Sequence, residues 1–294
     1  MKKINRRDAI QLATAGALTV ALPSCKPTTL INTETSIVKS SRDNIRHSAC
    51  RWCYHDIPLE ELADRSKDLG LTSIELLNPD EWDVVLNRGM TCAIANGSPL
   101  NITKGFNDPQ YHKQLLLDYT SIIQRAAEKG INQIICFSGN RNGMSDEQGL
   151  ENCAIGLEPV LQLAKKYEVK IVMELLNSKV DHLDYQCDHT AWGVALSEKI
   201  GSQNFSLLYD IYHMQIMEGD VIRTITDNMK YISHFHTGGV PGRHEIDETQ
   251  ELNYRRIVEV IAASDFDGYI SQEFLPTAEK PLESLRKAIE ICSV

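Results

Sequence analysis

Three acidic residues and one histidine occupy equivalent places in four short apolar segments of the second half of the chain. Each residue lies at or near the end of a strand-like run, and a helix-like stretch separates each run from the next. The residues are Glu174, Asp210, His236 and Glu273. Carboxylate oxygens and one imidazole are suitable ligands for a divalent metal ion. The spacing therefore predicts a metal-dependent active site, provided that the fold brings the four strand ends together.

The elements that must position these residues alternate regularly from Ile45 to the C-terminus. Eight short apolar runs are predicted to be strands, at residues 45–50, 72–77, 91–95, 133–137, 170–175, 205–210, 231–236 and 268–274. The stretches between and after them are predicted to be helices, at residues 58–69, 79–87, 109–129, 146–167, 188–200, 220–228, 254–263 and 280–292. Buried strands that alternate with helices indicate a parallel sheet. Eight repeats predict a single-domain (β/α)8 TIM barrel over residues 45–294, whose active site lies at the carboxyl ends of the strands.

The N-terminal segment differs from the rest of the chain. A basic start with the pair Arg6-Arg7 precedes an apolar stretch that ends in Leu22-Pro-Ser-Cys25. This pattern predicts a twin-arginine signal peptide over residues 1–25 with a lipobox, although Pro23 is atypical there. Residues 26–44 are rich in Thr, Ser and Asn and are predicted to be a flexible tether. We therefore expect an exported protein, periplasmic or anchored to the membrane through lipid on Cys25.

Composition and missing motifs argue against several classes of function. The 294 residues carry a formal net charge of −10, which would repel nucleic-acid phosphates. The segment after the first predicted strand contains no glycine, so the dinucleotide-binding fingerprint is missing, and a phosphate-binding P-loop is missing as well. The eight cysteines are scattered, and Cys50 and Cys53 lack a second pair at zinc-site spacing. Most cysteines are therefore expected to be buried core residues.

Two long segments carry a resemblance to a known family. They run from Tyr209 to Asp220 and from His234 to Glu245, and the likeness extends through residues 250–254 and 271–274. These segments resemble the hydroxypyruvate isomerase family, which belongs to the xylose isomerase-like barrels and has ketose 3-epimerases as relatives. The resemblance implies a divalent ion, Mg or Mn, held by the four residues named above. It also implies that Glu174 and Glu273 transfer protons. Some members carry Gln at the position of His236.

The chemistry of such a reaction is consistent with these residue types. Isomerising an α-hydroxycarbonyl compound requires removal of a proton beside a carbonyl, and an enediolate forms. A divalent cation would offset its negative charge. One carboxylate removes the proton and another can return it, so Glu174 and Glu273 are the predicted acid–base pair, with their direction left open.

Further residues near the predicted strand ends are candidates for supporting roles. His234 and His236 alternate along one strand and share a face, and His236, nearer the strand end, is the predicted ligand. His213, three residues after Asp210, and Arg243 are predicted to bind substrate oxygens. Glu251 is a further candidate polar contact. Trp52, with Tyr54, is a candidate for an apolar wall.

Several functions remain open at the level of sequence. The leading prediction is an isomerase of the hydroxypyruvate type, whose partner is a small-molecule substrate. The main alternative keeps the site and changes the substrate to a ketose or modified sugar, which gives a 3-epimerase or an aldose–ketose isomerase. A phosphodiester-cleaving nuclease would need a basic surface, and a sugar-binding module would not need four intact ligands. The sequence is compatible with an oligomer.

Overall fold

The computed structural model describes residues 45–100 and 102–294, and all of these belong to one compact unit. The signal peptide predicted over residues 1–25, with Cys25, and the tether predicted over residues 26–44 lie outside the described residues. Among the helices that the structure describes, none is long and apolar enough to cross a membrane.

In the described part of the chain, seven parallel strands form a curled sheet in the order β2-β1-β7-β6-β5-β4-β3. The strands are β1 (Arg46–Cys50), β2 (Ser73–Glu75), β3 (Gln133–Cys136), β4 (Lys170–Glu174), β5 (Phe205–Asp210), β6 (Ile232–Thr237) and β7 (Tyr269–Gln272). Nearly every strand residue is buried, as expected for a parallel sheet that helices cover. The result is the predicted TIM-barrel-like α/β fold.

The remaining predicted strand, residues 91–95, lies between the two ends of this sheet as isolated parallel bridges. Thr91 pairs with Ser73, and Ala95 pairs with both Leu77 and Ile134. The regular ladder is interrupted in the middle because the backbone N–H of Ala93 donates to the side-chain Oγ of Ser73, at 2.8 Å. A side-chain acceptor thus replaces a backbone acceptor, and the segment connects β2 to β3 without forming a continuous strand.

Helices follow the strands in the predicted order, with one addition. They are α1 (Leu59–Asp68), α2 (Trp82–Leu86), α3 (His112–Glu128), α4 (Asp146–Lys166), α5 (Thr190–Ile200), α6 (Ile211–Met217), α7 (Val221–Asn228), α8 (Tyr254–Ala262) and α9 (Pro281–Cys292). Local capping explains several of their ends. The Ser145 side chain accepts from the N–H of Gln148 at the start of α4, and Gly201 ends α5 with a left-handed φ of 61°. The prediction missed α6, which begins directly after Asp210.

The register of the last four strands sets the location of the site. Asp210 on β5 pairs with His236 on β6, and His236 pairs with Ser271 on β7. Glu174 is the last residue of β4, and Glu273 follows the last residue of β7. The carboxyl ends of four neighbouring strands therefore present these side chains to one region of the barrel.

Candidate active site

The structure brings the four predicted ligand residues together. Glu174, Asp210, His236 and Glu273 each offer one ligand atom, and these four atoms lie within 4.8 Å of one another. None of the four residues is more than 4% exposed. A charged group is costly to bury unless it is paired or coordinates a metal, so this cluster requires compensation.

His236 lies at the centre of the cluster and faces different partners with its two ring nitrogens. Its Nδ1 lies 3.1 Å from Oε1 of Glu174 and 3.0 Å from Oε2 of Glu273. Its Nε2 lies 2.8 Å from Oε1 of Glu75, which comes from β2. The same oxygen of Glu75 is 2.9 Å from Nε2 of His234. We call Glu75, His234 and His236 the floor of the site.

The sequence analysis predicted only some of the residues of the floor. His234 takes the supporting position that the alternation along β6 suggested, with its ring centre 5.2 Å from that of His236 and its Nε2 beside Glu75. Glu75 was missed, although it ends the apolar strand β2 just as Glu174 ends β4, so the same criterion would have found it. Burial alone would raise the pKa of Glu75, but His234 and His236 lower it to about 2. The carboxylate is therefore an ionised acceptor for both rings.

The two carboxylate oxygens of Asp210 have different roles: one caps a helix and the other faces the site. Its Oδ1 accepts a hydrogen bond from the backbone N–H of His213 at 3.0 Å and so caps α6. Its Oδ2 is buried and has no hydrogen-bond partner among the described residues. Burial, followed by repulsion from Glu273, raises the pKa of Asp210 well above its usual value. A buried carboxylate oxygen that accepts no hydrogen bond from the described residues is available to coordinate a cation.

Arg243 supplies positive charge beside the carboxylates. Its Nη2 donates to Oε2 of Glu273 at 2.5 Å and lies 3.7 Å from Oδ2 of Asp210. The guanidinium carbon lies 5.0 Å from the ring centre of Trp52 and 5.5 Å from that of Tyr212. Two aromatic faces thus hold the guanidinium group by cation–π contact. Its Nε is buried and lacks a hydrogen-bond partner within the described part of the chain, so one donor is available.

Trp52 has a polar role beyond the apolar wall suggested by its position after β1. Its Nε1–H donates to Oε1 of Glu273 at 2.9 Å. Burial alone would raise the pKa of Glu273, but His236 and Arg243 hold it well below its usual value. Burial, followed by repulsion from Glu273, raises the pKa of Glu174. The two glutamates therefore occupy different environments within one site.

His213 approaches the cluster from α6, as its position after Asp210 suggested. Its Nε2 lies 3.7 Å from Oδ2 of Asp210 and has no hydrogen-bond partner in residues 45–100 and 102–294. Its Nδ1 lies 2.7 Å from Nδ2 of Asn177, a residue that the sequence prediction missed. Burial lowers the pKa of His213 well below its usual value. We call Asn177, Asp181, Tyr212 and His213 the rim of the site.

Two other sequence-level candidates lie outside this cluster. Glu251 is exposed and accepts a hydrogen bond from Nε2 of Gln215, at 3.0 Å. Tyr54 is a buried core residue. All seven cysteines in the described part of the chain are buried and free, as predicted for core residues. Cys50 packs below the site, with its Sγ 3.7 Å from Nε2 of His236.

The cluster fits a divalent cation by three criteria. Its donor set of three carboxylates and one imidazole suits Mg²⁺ or Mn²⁺. Its ligand atoms are already grouped, and among the residues that the structure describes Asp210 Oδ2 has no hydrogen-bond partner. The imidazole nitrogen that faces the cluster is Nδ1, because Glu75 occupies Nε2.

The chain belongs to the xylose isomerase-like TIM barrel family, whose sequence model matches residues 45–292. The 2-oxo-tetronate isomerase of Cupriavidus necator is 29% identical over 235 residues, which cover 75% of this chain and 88% of that protein. The hydroxypyruvate isomerase of Escherichia coli K12 is 31% identical over 158 residues, which cover 52% and 59%, respectively. These relatives confirm the resemblance found in the sequence motifs.

A solved structure supports the fold independently. The 3-keto-D-glucoside 4-epimerase from Escherichia coli aligns with a TM-score of 0.70 at 18% sequence identity, over 84% of this chain and 98% of that one. At this identity the likeness concerns the barrel and not the substrate.

Proposed function

We propose that this chain is a divalent-metal-dependent isomerase of a small α-hydroxycarbonyl compound, of the type that converts hydroxypyruvate into tartronate semialdehyde. One observation carries the proposal: two buried glutamates, Glu174 and Glu273, converge from different strands on Nδ1 of His236. A pair of carboxylates at one point suits removal of a proton from one carbon and its return to the next. The printed names of the two relatives support this substrate class.

Glu174, Asp210, His236 and Glu273 would hold the cation, Mg²⁺ or Mn²⁺. When bound, the cation would polarise the substrate carbonyl and offset the negative charge that develops during proton removal. Asp210 contributes Oδ2, because its Oδ1 is engaged in capping α6.

The proton transfer is assigned to Glu174 and Glu273. One carboxylate takes the proton beside the carbonyl, and an enediolate forms. The hydroxyl proton on that carbon passes to the former carbonyl oxygen, and the other carboxyl group delivers a proton to the neighbouring carbon, so that the carbonyl and hydroxyl groups exchange places. Opposite pKa shifts at two neighbouring carboxyl groups are the usual basis for an acid–base pair. Here burial and repulsion from Glu273 raise the pKa of Glu174. At Glu273 burial would also raise the pKa, but the positive charges of His236 and Arg243 outweigh burial and lower it.

His213 and Arg243 would contact substrate oxygens. Each has a buried nitrogen that makes no hydrogen bond to the residues described by the structure, Nε2 in His213 and Nε in Arg243. Both belong to side chains that are otherwise held firmly, Arg243 by two aromatic rings and Glu273, and His213 by Asn177. Donors fixed in advance lose little entropy when they bind a substrate oxygen.

A second candidate function follows from the predicted export of the chain. Sugars occur outside the cell membrane, whereas hydroxypyruvate is an intracellular metabolite, so export favours a ketose or modified-sugar 3-epimerase or an aldose–ketose isomerase. The same carboxylate pair serves each of these reactions, because each begins with proton removal beside a carbonyl. Export itself is a proposal from residues 1–25, and Cys25→Ser should abolish incorporation of labelled fatty acid if the residue is lipidated.

The test is a substrate panel on purified protein loaded with Mg²⁺ or Mn²⁺. Hydroxypyruvate, 2-oxo-tetronate and a series of ketoses should separate the two candidates. We expect Glu273→Gln to lower kcat by about 1,000-fold or more, because it removes an acid–base group worth 10²–10⁴ and a proposed ligand. The exposed residue Glu251 provides the matched control, since Glu251→Gln makes the same chemical change outside the cluster. Activity that survives both chelation and Glu273→Gln would refute the proposed mechanism.

A further inference from the structure

We infer that Asn177 is a positioning residue that fixes His213 as its neutral Nε2–H tautomer, so that His213 presents a hydrogen-bond donor to the site. The inference deepens the proposed function, and it rests on that function only in stating that the donor meets a substrate oxygen. The tautomer itself follows from hydrogen bonds within the protein.

The orientation of the Asn177 amide is determined by the backbone. Its Oδ1 accepts from the N–H of Val180 at 3.0 Å and from the N–H of Asp181 at 2.9 Å. A flipped amide would place two N–H groups against two backbone donors. Local turns in which an Asn side chain binds the backbone after it are common. Here the turn directly follows β4 and Glu174, and Asn177 is completely buried.

With the oxygen assigned, the amide nitrogen must be the atom that faces His213. The Nδ2 of Asn177 has two hydrogens and two acceptors, Oδ2 of Asp181 at 2.5 Å and Nδ1 of His213 at 2.7 Å. An amide NH₂ group only donates, so Nδ1 of His213 must offer a lone pair. The single ring proton of the neutral imidazole therefore resides on Nε2.

The other neighbours of His213 are consistent with a proton on Nε2. Its ring packs against the rings of Tyr212 and His182, at centroid distances of 5.0 Å and 5.2 Å. Oδ2 of Asp181 is 3.9 Å from Nδ1, beyond hydrogen-bond distance. Asp181 instead accepts from the hydroxyl of Tyr212, at 2.8 Å. Asn177 is thus the hydrogen-bond partner that decides the tautomer.

The tautomer determines what His213 can do for a substrate. An Nε2–H group beside Oδ2 of Asp210 can donate to a carbonyl or hydroxyl oxygen, and its bond strengthens as negative charge develops there. The opposite tautomer would direct a lone pair at that oxygen and at Asp210. The amide partner also leaves the ring neutral, because a protonated Nδ1 would meet the NH₂ group. His213 is therefore specialised for an oxygen acceptor in the substrate.

The first test measures the tautomer directly in the full chain. A long-range ¹H–¹⁵N correlation spectrum of ¹⁵N-histidine-labelled, Mg²⁺-loaded protein distinguishes protonated from unprotonated ring nitrogens. The peaks of His213 are assigned by their loss in His213→Gln. We expect a protonated Nε2 and an unprotonated Nδ1. A protonated Nδ1, alone or together with Nε2, would overturn the inference, and this measurement needs no altered Asn177.

The second test exchanges two side chains while keeping the bond between them. In Asn177→Asp/Asp181→Asn, a carboxylate accepts from the new amide, but position 177 now offers an acceptor to His213. We expect the His213 proton to move to Nδ1 and kcat/KM to fall about 100-fold relative to Asp181→Asn, comparable to loss of one oxyanion donor. Asp181→Asn alone is the matched control and should keep the Nε2–H tautomer.

The outcomes separate the inference from the proposed function. If the exchange variant retains Nε2–H, Asn177 does not set the tautomer and the inference is wrong. If the tautomer changes as expected while the wild-type protein converts no hydroxycarbonyl compound, the positioning role stands and the proposed function fails. If the tautomer changes without a loss of kcat/KM in an active enzyme, His213 does not donate to the substrate.

Discussion

The floor of the site holds His236 with a carboxylate, whereas the rim holds His213 with an amide. Glu75 lies 2.8 Å from Nε2 of His236, and Asn177 lies 2.7 Å from Nδ1 of His213. Both rings are fully buried, yet their pKa values move in opposite directions. Burial lowers the pKa of His213. Burial would also lower the pKa of His236, but Glu273 and neighbouring groups outweigh burial and raise it.

This difference shows how one barrel can prepare two histidines for different tasks. A carboxylate behind an imidazole fixes its orientation and strengthens it as a ligand. An amide behind an imidazole fixes a neutral donor without adding charge. The floor is therefore suited to holding a cation, and the rim is suited to donating a hydrogen bond to a substrate oxygen. Three substitutions test this division, beginning with Asp210, which accepts a hydrogen bond from the backbone of His213 in the rim and has a ligand atom within 4.8 Å of one on His236 in the floor.

Asp210→Asn should have the largest effect, because Asp210 is a proposed metal ligand that lies beside both His236 of the floor and His213 of the rim. Asn is as good a helix cap as Asp, so α6 should persist and the melting temperature should change little. The anionic Oδ2 is lost, however, and we expect Mn²⁺ affinity to fall by more than about 100-fold, beyond the 10- to 100-fold typical of an outer partner. Isothermal titration with Mn²⁺ measures this. Near-normal affinity would remove Asp210 from the proposed ligand set.

Glu75→Gln should have an intermediate effect confined to the floor. Its amide oxygen can still accept from one ring, but the charge shared by His234 and His236 is gone. We expect Mn²⁺ affinity to fall about 10- to 100-fold, with kcat largely recovered at saturating metal. Glu60→Gln, at an exposed position on α1, is the matched control.

The same titration compares the two regions. The exchange variant of Asn177 and Asp181 should bind Mn²⁺ with nearly wild-type affinity although its kcat/KM falls. If the rim variant weakens metal binding more than Glu75→Gln does, the division of tasks between floor and rim is wrong.

The four clustered residues could be predicted because the carboxyl ends of the strands in a parallel barrel lie at the same end of the barrel. Each of them lies at or near the end of a short apolar run, so the sequence pattern alone was enough to identify them. The third predicted strand was harder, because Ser73 interrupts its ladder through a side-chain bond that no periodicity reveals. Helix α6 was missed because Asp210 was interpreted only as a ligand, whereas it also caps a helix.

The supporting residues were harder to predict for a different reason. Glu75 and His236 are separated by 161 positions, and only closure of the barrel brings β2 and β6 to one hydrogen bond. Asn177 is close to Glu174 in sequence, but its role depends on a turn that orients its amide. Residues that act through another residue carry little pattern of their own, so structure was needed to find them.

Trp52→Phe should have the smallest effect, because it alters one hydrogen bond above the floor and preserves a ring. Trp52 is 38% exposed, so its bond to Glu273 is partly open to water. Bonds to charged groups contribute about 1.5–3 kcal/mol when buried, and we expect the lower part of that range here. This corresponds to a loss of about 10-fold in kcat, with Mn²⁺ affinity unchanged.

Steady-state kinetics at saturating metal measure that loss, and Trp52→Ala separates the two contributions of the ring. Phe retains the aromatic face against Arg243, whereas Ala removes it, so the difference between the variants reports the cation–π contact. Because Arg243 is proposed to bind substrate, that difference should appear mainly in KM. If both variants lower kcat equally and leave KM unchanged, Trp52 acts only through Glu273, and the guanidinium group is positioned by its ion pairs and Tyr212 alone.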